Sequence, residues 1–183
     1  MDDEKIVISE YDPAWPAWFE QAAQEIRGAL GAAALQIDHI GSTSVPGLPA
    51  KPLIDINLLV TDPEEESAYV PQLEAAGYSL LIRQPDYHGH RMLRRDVPPV
   101  NLHVFQQGCA EAARVLLFRD LLRLNEPDRE LYARTKHELA TRTWKHLQDY
   151  SNAKSEVVGK ILNRAQPSVW PVSGRTLYCS RHP

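Results

Sequence analysis

Between Leu35 and Val60 one apolar segment leads to another through Gly41-Ser42-Thr43-Ser44, Pro46-Gly47, Pro49 and Lys51-Pro52. No other stretch limits the folds open to this chain as strongly. The flanking segments, 35–41 and 52–60, read as strands. A glycine-serine turn leaving a strand exposes backbone N–H groups and hydroxyls to an anion, most of all where a helix begins. Lys51 brings a mobile positive charge to the same turn. Period-two geometry places Leu53, Asp55 and Asn57 on one face of the second strand, and Ile54, Ile56 and Leu58 on the other. The aliphatic face belongs to a core. A carboxylate is expensive to bury, so Asp55 must reach solvent, a partner or a metal.

Other signals place this unit in a larger order. Ile6 and Ile8 alternate in 5–9, which predicts a short strand. Asp12 caps a helix with Pro13 at its first position, and Trp15, Trp18, Phe19, Ala22 and Ile26 form its apolar face. Asp62-Pro63 starts another helix that Gly77 ends, with Glu64, Glu65 and Glu66 where acids favour the helix dipole. Strands are expected at 78–83, 90–95 and 100–105, a polar turn at 84–89 joining the first two. From Ala110 the pattern becomes helical, at about 110–124, 128–148 and 151–165. Pro167, Pro171 and Gly174 mark 166–183 as an irregular tail. The whole reads as an α+β chain, one domain over 1–165, since 183 residues sustain one core.

Composition narrows the function classes. The 43% hydrophobic and 24% charged fractions are those of a globular protein. No apolar run reaches the length of a bilayer, and the acidic start Met1-Asp2-Asp3-Glu4 lacks the apolar stretch of a secretory signal. Cys109 and Cys179 are too few for a disulfide framework. These features predict a cytoplasmic protein with no membrane partner. A formal charge of -4 argues against a broad nucleic-acid surface while allowing a local basic pocket.

A Gly-Ser turn followed a dozen residues later by an acid resembles the nucleotidyltransferase superfamily, and the longer string from His39 to Ile56 resembles the GrpB family. Tyr11-Asp12-Pro13 with Trp15, Gly77-Tyr78, His90-Arg91, Asn101-Leu102-His103-Val104 and Phe118-Arg119-Asp120 with Leu122-Arg123 extend the likeness. Tyr132, Lys136, Tyr150 and Lys154 carry it into the helical half, so it covers roughly 5–165. It implies a nucleotidyltransferase-like mixed β-sheet flanked by helices, with a C-terminal helical half. Active nucleotidyltransferases hold two divalent ions with Asp-x-Asp and a third acid on a later strand. Here the second acid position is Asn57 and the later strand offers His103. Mg²⁺ prefers carboxylate and water oxygens, so the expectation is one Mg²⁺ or Mn²⁺ on Asp55 and Asn57.

The resemblance assigns roles residue by residue. Gly41, Ser42, Thr43 and Lys51 form the phosphate loop, and Asp55 and His103 are the catalytic pair. His103 shares a strand face with Asn101 and Phe105 and would serve as general base or metal ligand. Arg119, and with it Lys154, would reach phosphate from the helical half. Arg91, Arg123 and Lys136 read as solvated charges, and His39 as a group that orients backbone. His88 and His90 have a spacing that zinc sites use, but no cysteine or third ligand stands near. Two functions follow. One is nucleotidyl or phosphoryl transfer from a nucleotide to a small molecule. The other is a non-catalytic module for a phosphate-bearing metabolite, a nucleotide or a relative of coenzyme A; some members of the family are fused to dephospho-CoA kinase.

Overall fold

The computed structural model describes residues 6–144 and 147–165. Five strands form one mixed sheet: β1 Gln36–Ile40, β2 Ile54–Val60, β3 Ser79–Gln84, β4 His90–Asp96 and β5 Pro99–Gln106, in the spatial order β1-β2-β5-β4-β3. β2 and β5 run parallel, and the other neighbours are antiparallel. The helices are α1 Trp15–Leu30, α2 Val70–Ala75, α3 Ala110–Leu124, α4 Glu126–Ala140, α5 Leu147–Ala153 and α6 Ser155–Ala165. This is the expected α+β order of a mixed sheet with flanking helices, followed by a helical half.

The two sheet faces differ because the strands alternate. Ile54, Ile56 and Leu58 of β2 join Leu102 and Val104 of β5 and Leu93 of β4 against Trp15, Ala22 and Ile26 of α1 and Leu73 of α2. Each large aliphatic buried there contributes about 1.5–3 kcal/mol. That burial fixes the register, since a one-residue slip of β2 would turn Asp55 and Asn57 into the core. Above the other face, Val45 and Leu48 of the Gly-Ser loop pack with Leu122, Tyr132, Val157 and Ile161 of the helical half. The loop is thereby pinned between sheet and helices.

Several local expectations change. Within 6–9 the chain pairs only through the single bridge Ser9↔Ala50, so no regular strand forms there. Asp12 accepts from the Ala14 N–H at 2.8 Å, but α1 begins at Trp15 with Pro16 in its first turn. No helix begins at Asp62. A single 3₁₀ turn, Glu66–Ala68, precedes the short α2, and Glu66 binds Arg83 Nη2 at 2.8 Å and Arg91 Nε at 2.7 Å. The acid there answers strand arginines rather than a helix dipole. The helix expected over 128–148 divides: Trp144 Nε1 donates to Leu139 O at 2.8 Å, closing α4, and α5 starts at Leu147. The tail expected over 166–183 lies outside the described residues. Among the described residues no helix is long and apolar enough to cross a membrane.

Candidate functional site

The loop begins where β1 ends. Gly41 has φ 69° and ψ -175°, a backbone region essentially reserved to glycine. A Cβ at Gly41 would stand 2.5 Å from Asp55 Oδ2, so the missing side chain also lets the turn close over the carboxylate. The chain continues as one 3₁₀ turn, Ser42–Ser44. Ser44 Oγ donates to Gly41 O at 2.5 Å, Thr43 Oγ1 donates to Leu53 O at 3.2 Å, and His39 Nε2 lies 3.0 Å from Thr43 Oγ1. Thr43 and Ser44 thus turn inward, while the Ser42 hydroxyl meets Tyr132 at the edge of the cleft. His39 stacks on Phe19 at 4.7 Å, and burial holds its imidazole down at about 4, hence neutral.

Helix α3 braces this turn from outside. Arg119 Nη1 donates to His39 O at 3.0 Å, and Arg123 Nε and Nη2 donate to Ser44 O at 2.9 and 2.7 Å. From α4, Lys136 Nζ donates to Pro49 O. The helical half thus satisfies the carbonyls of His39, Ser44 and Pro49 while the loop satisfies Gly41 O, Ser42 O and Val45 O itself, which sets its geometry before any ligand arrives.

Parallel pairing of β2 with β5 sets Asp55 opposite Asn101 and Asn57 opposite His103. Asn101 Nδ2 donates to Asp55 Oδ1 at 3.2 Å, and His103 Nε2 faces the same oxygen at 3.8 Å. Behind it, His103 Nδ1 lies 3.1 Å from His90 Nε2, and His90 Nδ1 lies 2.8 Å from Gln84 Oε1. With the Gln84 carbonyl oxygen as acceptor, His90 Nδ1–H donates and His90 Nε2 must accept. His103 Nδ1–H is then the donor, which turns Nε2 toward Asp55. His90 stacks against His103 at 5.3 Å and Phe105 at 4.7 Å, and burial keeps it uncharged. Both ring nitrogens of His90 are thus engaged in this chain of bonds. Among the described residues no three His, Cys, Asp or Glu side chains gather as a metal site.

Gly41, Ser42, Thr43, Lys51, Asp55, His103, Arg119 and Lys154 all line one cavity of about 480 Å³. Asp55 is the one acidic side chain among the described residues that line it, against Lys51, Arg119, Lys136 and Lys154 at the same end. Lys136 is buried, which corrects its reading as a solvated charge, and its Nζ sits 5.1 Å from the Tyr132 ring centroid. Lys154 Nζ lies 4.4 Å from the Tyr150 centroid. Burial, and then Lys154, pull Lys136 down to about 7. Burial pulls Lys154 down to about 8, with Asp55 opposing and Lys51 adding to the shift. An anion entering here would restore the full charge of both lysines, so the cleft favours one.

Arg91 also departs from the solvated reading, buried against Glu66, whereas Arg123 stays exposed as expected while holding Ser44 O. The Lys136 position had a signal in the sequence, since Tyr132, Lys136 and Leu139 recur at helical spacing on one face and all are buried. The Gln84–His90–His103 chain had none, because it depends on how β3, β4 and β5 pair.

Asn57 shares the face of Asp55 but is fully enclosed and does not line the cavity. Its Oδ1 and Nδ2 have no hydrogen-bond partner, a costly state for a buried amide. Asp55 and His103, 3.8 Å apart, are donors that one divalent ion can share. With one carboxylate, the set does not supply the oxygens that two Mg²⁺ ions require.

The model of the family described as GrpB protein matches residues 5–164. A UPF0157 protein of Halalkalibacterium halodurans is 52% identical over 160 residues, covering 87% of this chain and 82% of that one. The crystal structure of the conserved protein GrpB from Enterococcus faecalis aligns with a TM-score of 0.77 and 33% identity, over 87% of this chain and 96% of that one. A dephospho-CoA kinase of Mycolicibacterium paratuberculosis is 30% identical over 151 residues, 68% of this chain and 37% of that protein.

Proposed function

The chain belongs to the GrpB family, and we propose that its cleft transfers a nucleotidyl or phosphoryl group from a nucleotide to a hydroxyl of a small molecule in the cytoplasm. One observation carries this reading: the Ser42 turn, the Asp55–His103 pair and the lysines of the helical half surround a single cavity.

The polyphosphate lies against the Ser42 turn, where Lys51, Lys154 and Arg119 neutralise its charge as it builds in the transition state. His103 Nε2 takes the proton of the acceptor hydroxyl while that oxygen bonds to phosphorus. The bond from phosphorus to the leaving phosphate breaks, and its electron pair departs with the phosphate oxygen. Asp55 stabilises the imidazolium that forms, much as an acid steadies a histidine base in acyl transfer. One Mg²⁺ or Mn²⁺ held by Asp55 and water oxygens would supply further charge neutralisation; Asn57, expected to share that ion, is sealed from the cavity. Positioning does the rest, since little covalent chemistry is asked of the protein.

A specific observation favours a second reading. Asp55 is the one carboxylate among the described residues that line the cavity, and the Asn57 amide beside it is sealed away. A non-catalytic module for a phosphate-bearing metabolite needs no more than that, and the partial likeness to a dephospho-CoA kinase makes coenzyme A and its precursor the ligands to try.

A thermal-shift screen of nucleoside triphosphates and coenzyme A species, with and without Mn²⁺, followed by ³¹P NMR of the ligands that bind, separates the two. Transfer predicts stabilisation by triphosphates and release of pyrophosphate or phosphate once a hydroxyl acceptor is present. Stabilisation in chelator with no turnover assigns the binding module instead.

A further inference from the structure

The cavity crosses the sheet from the Ser42 turn, at the β1–β2 side, to β4 and β3 at the opposite edge. Its far end has a different character. Leu80 of β3 pairs with Leu93, but Ile82 pairs with Met92, so Leu81 is an extra residue in the ladder. A bulge of this kind re-aims side chains. Regular alternation would turn Ile82 to the core with Leu80; instead Leu81 and Ile82 both line the cavity, beside Met92 and, from α3, Val115. Leu81 is left 51% exposed. The arginines here are matched by their own carboxylates: Arg94 Nε meets Asp96 Oδ1 at 2.8 Å and Arg114 Nη2 meets Glu111 Oε1 at 2.6 Å. Phe118 packs edge-on against Tyr132 at 5.1 Å in the cluster that holds Val45 and Leu48 of the loop, so Leu81, Ile82, Met92 and Val115 give this end an aliphatic surface.

We infer that the ligand of this cleft is an amphiphilic phosphate ester, its anionic head at the Ser42–Lys154 end and an aliphatic group over Leu81, Ile82, Met92 and Val115. The inference rests on the phosphate reading of the loop end and adds the class of the attached group. Cationic and aliphatic ends belong to one continuous cavity of about 480 Å³, within the roughly 300–1,000 Å³ that holds a ligand of moderate size. An ester with both parts removes the exposed aliphatic surface and compensates Lys136 and Lys154 in one binding event. Each methylene fully buried at the far end is worth roughly fourfold in affinity.

Isothermal titration of the full chain with methyl, butyl and octyl phosphate, each below its micelle-forming concentration, tests this. Affinity rises along the series by at least roughly tenfold from methyl to octyl. Leu81→Asp, at an exposed position that the fold tolerates, shrinks the difference between octyl and methyl phosphate to less than about threefold. Methyl phosphate that binds as tightly as octyl phosphate overturns the amphiphile and leaves the phosphate site standing. Adenosine monophosphate that binds more tightly than octyl phosphate also overturns it, and gives the far end to a nucleobase. A series with no binding at any length overturns both the amphiphile and the phosphate reading beneath it.

Discussion

Gly41 and Asp55 occupy each other's space: the Cβ that Gly41 lacks would stand 2.5 Å from Asp55 Oδ2. The turn that presents Ser42 and the acid that faces His103 are therefore one unit, built by two strands that pair Ile40 with Asp55. Gly41→Ala strains the backbone and displaces the carboxylate together. Chemical denaturation should show a loss of roughly 1–3 kcal/mol from the backbone alone, and the same variant should lose phosphate-ligand binding. Full stability with full binding would mean that the turn relaxes freely.

His90 acts through His103, as a positioning residue. His90→Phe keeps a ring stacked between His103 and Phe105 but removes the acceptor for His103 Nδ1–H. Turnover should fall roughly tenfold to a hundredfold, the scale seen when a supporting hydrogen bond to a reactive histidine is lost. A structural role alone would leave the ring-nitrogen NMR signature of the His103 tautomer unchanged; loss of the Nδ1–H bond to His90 should instead alter it.

Lys136, which is buried, and Lys154, which is half-buried, give anion binding a pH dependence. Lys136 and Lys154 lie at about 7 and about 8, so phosphate affinity should fall as pH rises from 7 to 9. The unfolded chain keeps these lysines protonated to about pH 10.4. It therefore binds more protons than the folded chain between pH 7 and that value, and folding stability should rise with pH across the window. Lys136→Met should flatten the rise and weaken phosphate binding at pH 7 by roughly tenfold, about the worth of one charge-assisted bond. Phosphate affinity that is level from pH 7 to 9 would contradict this.

His39 sets an acid limit. Its folded value of about 4 lies below the usual 6.5, so the unfolded chain binds the extra proton between those pH values. The stability it contributes is complete above pH 6.5 and is lost as pH falls toward 4, up to about 3 kcal/mol. Urea denaturation at stepped pH measures the slope. His39→Gln, which keeps a donor for Thr43 without titrating, should flatten it, leaving the part that comes from His90.

The legible parts of the fold were those written in local periods. Alternation at 53–57 and 101–105 correctly set Asp55 and His103 toward one side, because core burial of Ile54, Ile56, Leu102 and Val104 enforces it. Helix α3 kept its expected range for the same kind of reason. What failed was decided by distant partners. Glu66 left a helix start to bind Arg83 and Arg91 from two other strands. Trp144 folded back on Leu139 and divided a helix whose residues gave no break signal of their own. The bracing of Ser44 by Arg123 and the sealing of Asn57 likewise depend on several elements meeting, which no single period encodes, whereas Lys136 did share the buried period of α4.

That Asp55 anchors a divalent ion beneath a phosphate held by the Ser42 turn is decided by calorimetric titration of a nonhydrolysable nucleoside triphosphate. The wild type and Asp55→Asn are compared, each in Mn²⁺ and in chelator. Mn²⁺ should tighten binding to the wild type by roughly tenfold or more, since Asp55 is the strong anionic ligand of the site. Asp55→Asn should erase that gain, while Asn57→Ala should reduce it far less. Equal affinity of the wild type in Mn²⁺ and in chelator, unchanged in Asp55→Asn, would contradict the claim.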